Sequence, residues 1–359
     1  MPEIKIADQF IGNGHPTYFI ADIGANHDGK LERAKALIHL AKDAGADAVK
    51  FQNFQAAKIV SDYGFRHLQG GQSHQDSWKK SVFEVYQDAS VPYDWTPILK
   101  QECDKAGAHY FSSPYDFESI DMLEPHVPAY KAGSGLMSWP EALLYMAGKG
   151  KPILLATGAC ELAEVVENVR AVQAINSEVV LFQCNTNYTG SDGNFDHIHL
   201  NVLKTYAQLF PDVVLGLSDH TARHATVLGA VTLGARVIEK HFTDDTTREG
   251  PDHPFAMDPE TWAEMVARTR ELERALGSPL KRVADNEKET VMVQRRCLRA
   301  ARNIKMGEIF TRDMIEVLRP AMPDAIRPAD IEDVIGTKAA LPIPAGEALN
   351  WTMVVGSTT

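Results

Sequence analysis

Short apolar runs alternate with helical patterns along the first part of the chain, and eight such runs can be counted between residues 18 and 243. A short apolar run rich in β-branched residues and bounded by glycine and polar residues is typical of a buried strand. Strands that alternate with helical segments indicate βα units around a parallel sheet. The runs are YFIADIG (18–24), ADAVKFQ (46–52), AHYFSSP (108–114), PAYKAGS (128–134), PILLATG (152–158), EVVLFQC (178–184), DVVLGLSDH (212–220) and RVIEKHFT (236–243).

The segments between these runs have the period of amphipathic helices. In LERAKALIHLAKDAG (31–45), an apolar stripe falls on one helical face and Gly45 ends the pattern. Eight strands that are each followed by a helix can close into a barrel of about 250 residues. We therefore predict an α/β fold, a (β/α)₈ TIM barrel, over residues 1–285, with an open doubly wound sheet as the alternative. The stripe comprises Leu31, Ala34, Leu37, Ile38 and Ala41.

A second, smaller domain is predicted over residues 286–359. The charged segment KRVADNEKE (281–289) indicates a linker, and beyond it short strand-like pieces such as LRAARNI, IEVLRP and TKAALPI are interrupted by glycine and proline. Proline cannot donate to a strand ladder, so these pieces must be short. They predict a compact β-rich module.

Composition narrows the function classes. The net charge of −12, from 36 Lys plus Arg against 48 Asp plus Glu, argues against general affinity for nucleic acid or an anionic membrane. No apolar run approaches the roughly 20 residues that span a bilayer, and the N-terminal MPEIKIADQF lacks the apolar core of a signal peptide, so a cytoplasmic location is expected. The four cysteines are far apart and are interpreted as reduced thiols: Cys103, Cys160, Cys184 and Cys297.

Polar residues close several of the predicted strands, where the loops of such a barrel build an active site. Side chains alternate along a strand with a period of two, so residues two apart share a face. If the two histidines of the last strands point inward, their neighbours two residues earlier do as well. The pairs are Lys50 with Gln52, Ser218 with His220, and Glu239 with His241.

The side chains at these strand ends suit two kinds of ligand, an anion and a divalent cation. Lys50 and Lys131 near one mouth suit an anion that carries phosphate and carboxylate groups. His220 and His241, on neighbouring strands, could hold a divalent cation and leave positions for water and substrate oxygen, which favours manganese or a similar ion over structural zinc. Each histidine alone would more often be a hydrogen-bonded core residue than a metal ligand. A rival pair in FDHIHL (195–200) is interpreted as a solvent-facing loop, namely His197 and His199.

Six motifs spread over nearly the whole chain carry a resemblance to a known family. In the barrel they are ADIGANHDG (21–29), DAGADAVKFQ (43–52), AYKAGS (129–134), GLSDHT (216–221) and EKHFTDDTTREGPDH (239–253), and beyond the linker the sixth is RRCLRAARNIKMGEIFTRDMIEVLRP (295–320). The barrel motifs resemble those of sialic acid synthases, and the last motif resembles the antifreeze-like (SAF-type) domain that follows the barrel in that family.

The resemblance implies condensation of phosphoenolpyruvate with open-chain N-acetylmannosamine or another N-acylated amino sugar, giving a nonulosonic acid and phosphate. It also implies a divalent metal, Mn²⁺ or Mg²⁺, bound by His220 and His241. The residues that match phosphoenolpyruvate contacts are Lys50, Ser113, Lys131, Ser134 and Ser218, and those that match sugar contacts are Gln52, Tyr188 and Asp252.

Arg319 in LRP resembles an arginine that the C-terminal domain contributes to the sugar site, typically across the interface of a domain-swapped homodimer. The catalytic candidates are Asp22, Lys50 and Glu239. Each of the two carboxylates could transfer protons or could only orient other groups. The chain departs from the family pattern at Asp22, where glutamate is common, and at Ala156, where serine is frequent. It also departs in CNTNYTGS (184–191) and LRPAMP (318–323), both of which the resemblance places near the sugar.

Four alternatives remain open. The acceptor could be a diacetamido hexose, as for a legionaminate or pseudaminate synthase, or a sugar phosphate, as for the deoxyoctulosonate and heptulosonate synthases. A different class of enzyme would use Lys50 or Lys131 as the nucleophile of a Schiff-base pyruvate aldolase. A non-enzymatic chain would bind carbohydrate or ice through its C-terminal module.

Overall fold

The computed structural model describes residues 2–68, 75 and 78–356, and the chain divides into two compact units, Met1–Gly277 and Ser278–Thr359. The predicted boundary after residue 285 lies in the segment that follows the last helix of the first unit. Among the described residues, no helix is long and apolar enough to cross a membrane.

The first unit is built on a parallel sheet of eight strands, and each predicted apolar run forms one of them. The strands are β3 (Tyr18–Asp22), β4 (Ala48–Asn53), β5 (His109–Pro114), β6 (Tyr130–Ala132), β7 (Ile153–Ala156), β8 (Val179–Cys184), β9 (Val214–Asp219) and β10 (Val237–His241). Their hydrogen-bonded order is β5-β4-β3-β10-β9-β8-β7-β6, and the two outer strands, β5 and β6, lie side by side, so the sheet curls into a barrel. The predicted TIM-barrel fold is confirmed.

Helices connect and cover these strands. The stripe predicted from residue 31 onward is buried in α1, which ends at Asp43, and Gly45 adopts a φ of +99° where the chain turns back to β4. The α-helices of this unit are α1 (Leu31–Asp43), α2 (Ala56–Ile59), α3 (Asp62–Arg66), α4 (Val82–Ala89), α5 (Trp95–Ala106), α6 (Phe117–Leu123), α7 (Pro140–Gly148), α8 (Leu162–Gln173), α9 (Val202–Leu209), α10 (Ala225–Thr232) and α11 (Pro259–Leu276). Its 3₁₀ helices include Ser134–Ser138, Asp192–His197 and His253–Phe255.

An N-terminal hairpin, which the sequence analysis did not predict, closes the end of the barrel where the strands begin. Its antiparallel strands are β1 (Glu3–Ile6) and β2 (Gln9–Gly12). Ile4, Ile6 and Ile11 are buried in one cluster with inward-facing residues such as Tyr18 and Val237 at the starts of barrel strands. Each such side chain stabilises the fold by roughly 1.5–3 kcal/mol when fully buried. The opposite end, where the strands finish, carries the polar residues.

Strands β9 and β10 present different chemistry on their two faces. Asp219 and Lys240 point away from the barrel axis and form a buried ion pair, with Lys240 Nζ 2.5 Å from Asp219 Oδ2. Thr226 donates a hydrogen bond to the same oxygen at 2.7 Å. Side chains alternate along each strand. Since Asp219 points out of the barrel, its neighbours Ser218 and His220 point toward the barrel interior.

The second unit is a small β-rich domain, as predicted, with a core that includes Leu298, Phe310 and Leu349. The predicted linker is partly helical, since its end contributes to α12 (Lys288–Gln294). The paired strands are β11 (Cys297–Ala300) with β12 (Ile315–Leu318), and β13 (Lys338–Ala339) with β14 (Val354–Val355). The 3₁₀ helices are Asp285–Glu287, Arg312–Met314, Pro328–Asp333 and Trp351–Met353.

Candidate active site

The two predicted lysines meet at the mouth of the barrel around one carboxylate. Glu239 Oε1 lies 3.3 Å from Lys131 Nζ and 4.0 Å from Lys50 Nζ, and both lysines are only 2% exposed. Ser218 donates a hydrogen bond to the same oxygen at 3.2 Å. The other oxygen, Glu239 Oε2, is buried and has no hydrogen-bond partner among the described residues. It is therefore available to a ligand or to a proton.

Asp22, at the end of β3, is the second carboxylate of the mouth. It accepts hydrogen bonds from Lys50 Nζ at 2.6 Å and from Gln52 Nε2 at 3.1 Å. Burial lowers the pKa of Lys50, but the charges of Asp22 and Glu239 outweigh that effect, so its pKa is raised. Lys50 consequently stays an ammonium ion. The sequence predicted the two lysines as a cationic pair, whereas the structure shows two ammonium groups balanced by two carboxylates.

His220 and His241 also converge, as predicted from their places on β9 and β10. Their ring centroids are 5.4 Å apart. His220 Nδ1 must donate a proton to the backbone carbonyl of Asn185, 2.7 Å away, which leaves the lone pair of the neutral ring on Nε2. Burial lowers the pKa of both rings, and the pKa of His241 is lowered further because a protonated His220 and the ammonium group of Lys50 would repel a positive charge on its ring.

These two neutral imidazoles fit the requirements of a divalent cation. His241 Nδ1 is a buried polar atom without a hydrogen-bond partner among the described residues. Carboxylate oxygens flank the ring, with Asp22 Oδ2 3.4 Å from Nε2 and Asp252 Oδ2 3.6 Å from Nδ1. Within the described part of the chain, no three His, Cys, Asp or Glu side chains form a group that could hold a metal ion. An ion on this pair would complete its shell with water and substrate oxygen.

An aromatic wall stands beside the histidines. Phe255 packs edge-on against both rings, with centroids 4.8 Å from His241 and 5.7 Å from His220. Tyr188, a predicted sugar contact, lies 4.4 Å from the His220 ring and 5.5 Å from Phe255. Phe255 was not predicted, because the three-residue 3₁₀ helix His253–Phe255 is too short to give a periodic signal.

The predicted serines lie on strands or turns around the same mouth. Ser113 on β5 pairs in register with Gln52 on β4, and its buried hydroxyl has no hydrogen-bond partner among the described residues. Ser134 follows β6, and its hydroxyl accepts a hydrogen bond from the amide of Gly158 at 3.0 Å. The third serine, Ser218 on β9, donates its hydrogen bond to Glu239.

Asp252, the predicted sugar contact of the GPDH motif, reaches the mouth from the loop after β10. Its Oδ2 accepts a hydrogen bond from the amide of Ala25 at 2.8 Å. A Cβ at Gly24, where φ is +51°, would lie 2.4 Å from that oxygen, so only glycine permits the approach. Burial raises the pKa of Asp252 to about 7.

One further polar residue of the mouth was missed. Tyr115 follows β5, and its hydroxyl donates a hydrogen bond to Gln52 Oε1 at 3.4 Å, while its ring packs edge-on against Phe54. It directly follows the predicted run AHYFSSP, which was the available signal. The rival pair is exposed to solvent, as interpreted from the sequence, with His197 at the end of the 3₁₀ helix Asp192–His197 and His199 in the loop that follows it.

Arg319 lies in the second unit, directly after β12, and is exposed there. The prediction that it serves the sugar site of a partner subunit stays a prediction.

Comparison with known proteins identifies both units. Residues 37–281 match the model of the NeuB family, and residues 295–355 match that of the SAF domain. The chain is 31% identical to the N,N'-diacetyllegionaminic acid synthase of Legionella pneumophila, over 95% of each chain. It is 30% identical to the human N-acetylneuraminate-9-phosphate synthase, over 96% of this chain and 95% of the relative, and 32% identical to a pseudaminic acid synthase of Campylobacter jejuni, over 92% and 95%.

Two solved structures are similar to this chain over most of its length. The spore coat polysaccharide biosynthesis protein SpsE of Bacillus subtilis matches with a TM-score of 0.65 and 31% identity, over 98% of this chain and 99% of that one. An N-acetylneuraminic acid synthetase from Leptospira borgpetersenii, crystallised with citrate, matches with a TM-score of 0.70 and 26% identity, over 80% and 95%.

Proposed function

Because the chain belongs to the NeuB family, whose members condense phosphoenolpyruvate with amino sugars, we propose that it joins phosphoenolpyruvate to N-acetylmannosamine or a related N-acylated amino sugar. The products would be a nonulosonic acid and phosphate. The observation that carries this proposal is the convergence of Lys50, Lys131 and Glu239 beside two neutral imidazoles at the mouth of the barrel.

The charges of the mouth support the metal part of the proposal. Lys50 and Lys131 are balanced by Asp22 and Glu239, so the side chains alone give no excess of positive charge for a multiply charged anion. A divalent ion on His220 and His241, Mn²⁺ or Mg²⁺, would supply that excess and would polarise the aldehyde of the open-chain sugar as a Lewis acid.

The side chains of the mouth have distinct tasks in the proposed reaction. The ammonium groups of Lys50 and Lys131 would bind the phosphate and carboxylate of phosphoenolpyruvate, and the hydroxyls of Ser113, Ser134 and Ser218 would orient them. These groups lie on strands or, for Ser134, directly after one, so the donor would be held without a large loss of side-chain entropy.

The proposed chemistry forms one carbon–carbon bond and exchanges one carbon–oxygen bond, that to phosphate, for one to oxygen from water. The terminal enol carbon of phosphoenolpyruvate bonds to the aldehyde carbon, and the aldehyde oxygen gains a proton. Water adds to the carbon that bears the phosphate, forms a new carbon–oxygen bond and gives up a proton. Phosphate then leaves with cleavage of its own bond to that carbon and takes up the proton of the new hydroxyl, which becomes the keto oxygen. Glu239, with its unpartnered Oε2, and Asp22, beside Lys50, are placed to hold or move these protons.

The sugar would occupy the side of the mouth lined by Gln52, Tyr188 and Asp252. Its exact substituents distinguish an N-acetylneuraminate synthase from a legionaminate or pseudaminate synthase, and the relatives that match the chain include an N-acetylneuraminate-9-phosphate synthase, a legionaminic acid synthase and a pseudaminic acid synthase. We also propose a domain-swapped homodimer in which the partner's Arg319 contacts the sugar. The cytoplasmic location stays a prediction.

A Schiff-base aldolase is disfavoured by the ion pairs. A nucleophilic lysine must lose its proton, and such lysines are activated by a lowered pKa. Lys50 is held as an ammonium ion by Asp22 and Glu239, which raise its pKa. The same ammonium ion is well suited to binding phosphate.

A phosphate-release screen tests the proposal. Purified protein would be incubated with phosphoenolpyruvate, with and without Mn²⁺ or Mg²⁺, and with N-acetylmannosamine, its 6-phosphate or diacetamido hexoses. We expect metal-dependent phosphate release with at least one of these sugars and its loss in chelator. Release with none of them, or trapping of a pyruvate adduct by borohydride, would refute the proposal.

A further inference from the structure

A second polar cluster lies behind the mouth, and Asp28 is its centre. Asp28, with a φ of +53°, accepts a hydrogen bond on Oδ1 from His253 Nε2 at 2.9 Å. The other ring nitrogen of His253 pairs with the hydroxyl of Thr243 at 2.8 Å. His253 and Thr243 are both fully buried. The result is an ordered carboxylate–imidazole–hydroxyl array.

Two arginines complete the cluster on the other oxygen of Asp28. Arg248 Nε donates to Oδ2 at 3.1 Å, its Nη2 donates to the same atom, and Arg33 Nε lies 3.2 Å away. Arg33 also donates to Asp244 at 2.7 Å. Burial alone would raise the pKa of Asp28, but the hydrogen bonds from His253 and Arg248 lower it. Asp28 is therefore an anion held by three side chains.

The array cannot act as a nucleophilic triad. Its hydroxyl belongs to Thr243, whose side chain is inaccessible to solvent, so no substrate carbon can approach it. The cluster must act through the residues that it holds in place.

The cluster joins two loops of the mouth at the position next to Asp252. His253 directly follows Asp252, and Arg248 and Asp244 belong to the same loop after β10, whereas Asp28 belongs to the loop after β3. Asp252 itself is fixed to that second loop through the amide of Ala25. The side chains of Asp252 and His253 are thus both bound to the loop after β3, which leaves the Asp252 carboxylate little freedom to move.

We propose that Asp28, with Arg248 and His253, forms a positioning cluster that sets the acceptor-sugar subsite by fixing Asp252 beside His241. This inference rests on the proposed function and assigns a specificity role to residues that do not touch the reacting atoms. Because Lys50 and Lys131 are held by other contacts on the strands, the donor side of the mouth does not depend on the cluster.

The variant Asp28→Asn tests the proposal. The asparagine NH₂ would face donors of Arg248 or His253, which removes an acceptor at the centre of the cluster. We expect the KM for the sugar to rise about 10- to 100-fold, the range seen when groups that orient functional residues are lost. The KM for phosphoenolpyruvate should stay unchanged. A merely structural role would instead lower the amount of active enzyme without changing the KM for the sugar.

Asp245→Asn is the matched control, since Asp245 lies in the same loop and its carboxylate binds Thr247 instead of Asp28. It should keep both KM values. If Asp28→Asn does not fold, the variant Arg248→Gln tests the same proposal. The Arg248 side chain is 38% exposed, so its loss should destabilise the fold less. A sugar-specific rise in KM is expected there too.

An unchanged sugar KM in a folded Asp28 or Arg248 variant, or an equal rise in both KM values, would overturn the positioning role alone. Failure of the positioning role and failure of the proposed function can be told apart by assaying the wild-type protein. A wild-type protein that releases phosphate with no sugar would overturn the proposed function and this inference with it.

Discussion

Asp219→Asn should strongly destabilise the barrel without touching its mouth. The Asp219 and Lys240 side chains are 0% and 1% exposed, and their charged atoms are 2.5 Å apart. Without the carboxylate charge, the Lys240 ammonium keeps the carbonyl of Thr221, 2.6 Å away, as its other acceptor. Removing one partner of a buried pair costs about 3–5 kcal/mol, a large share of the roughly 5–15 kcal/mol that keeps a domain folded.

The assay is equilibrium unfolding in urea followed by tryptophan fluorescence, at pH 7. A double-mutant cycle with Lys240→Met isolates the pair, and the double variant should be less destabilised than the sum of the single variants because no buried charge is left unpaired. Asp121→Asn is the control, since Asp121 pairs with Lys149 on the surface, and it should unfold as the wild type does.

The pH dependence gives a second check on the same pair. Burial would raise the pKa of Asp219, but Lys240 and the surrounding hydrogen bonds lower it. A carboxylate with a lowered folded-state pKa contributes stability above its unfolded pKa and loses it as the pH falls through the folded value. The difference between wild type and Asp219→Asn should therefore be complete at neutral pH and shrink below about pH 3.9. A loss under about 1 kcal/mol at pH 7, or a difference that grows in acid, would refute the reasoning.

Three further variants probe the mouth. His241→Asn should abolish metal-activated phosphate release, since one of the two proposed imidazole ligands is lost. Full activity of this variant in the presence of a chelator would show that His241 is not part of the site. Glu239→Gln should lower kcat by about 10²–10⁴, the usual contribution of a general acid or base, while the protein still binds phosphoenolpyruvate in calorimetry. An unaltered kcat would leave Glu239 only an orienting role. Arg319→Ala should raise the KM for the sugar more than that for phosphoenolpyruvate, and equal effects on both would argue against its place at the sugar.

The strands of the barrel could be predicted from the sequence because burial on both faces leaves a continuous apolar signature. The period of two then placed His220 with Ser218 and His241 with Glu239, and the structure turns both pairs into the mouth. This part of the site follows from local geometry alone.

Contacts between distant loops could not be predicted in the same way. The ion pair of Lys50 with Asp22 and the anchoring of His253 to Asp28 join residues that are 28 and 225 positions apart. No periodicity encodes which of several polar residues at strand ends will meet, so the mouth was expected to be more cationic than it is. The N-terminal hairpin was missed because its strands, Glu3–Ile6 and Gln9–Gly12, are too short for a clear pattern.

Crystals grown with Mn²⁺ and phosphoenolpyruvate would test the central claim most directly, through anomalous scattering from the metal. The account predicts an anomalous peak within bonding distance of both the His220 and His241 rings, with the phosphate of the donor against Lys50 and Lys131. A manganese peak away from these imidazoles, or a donor phosphate bound elsewhere, would contradict it.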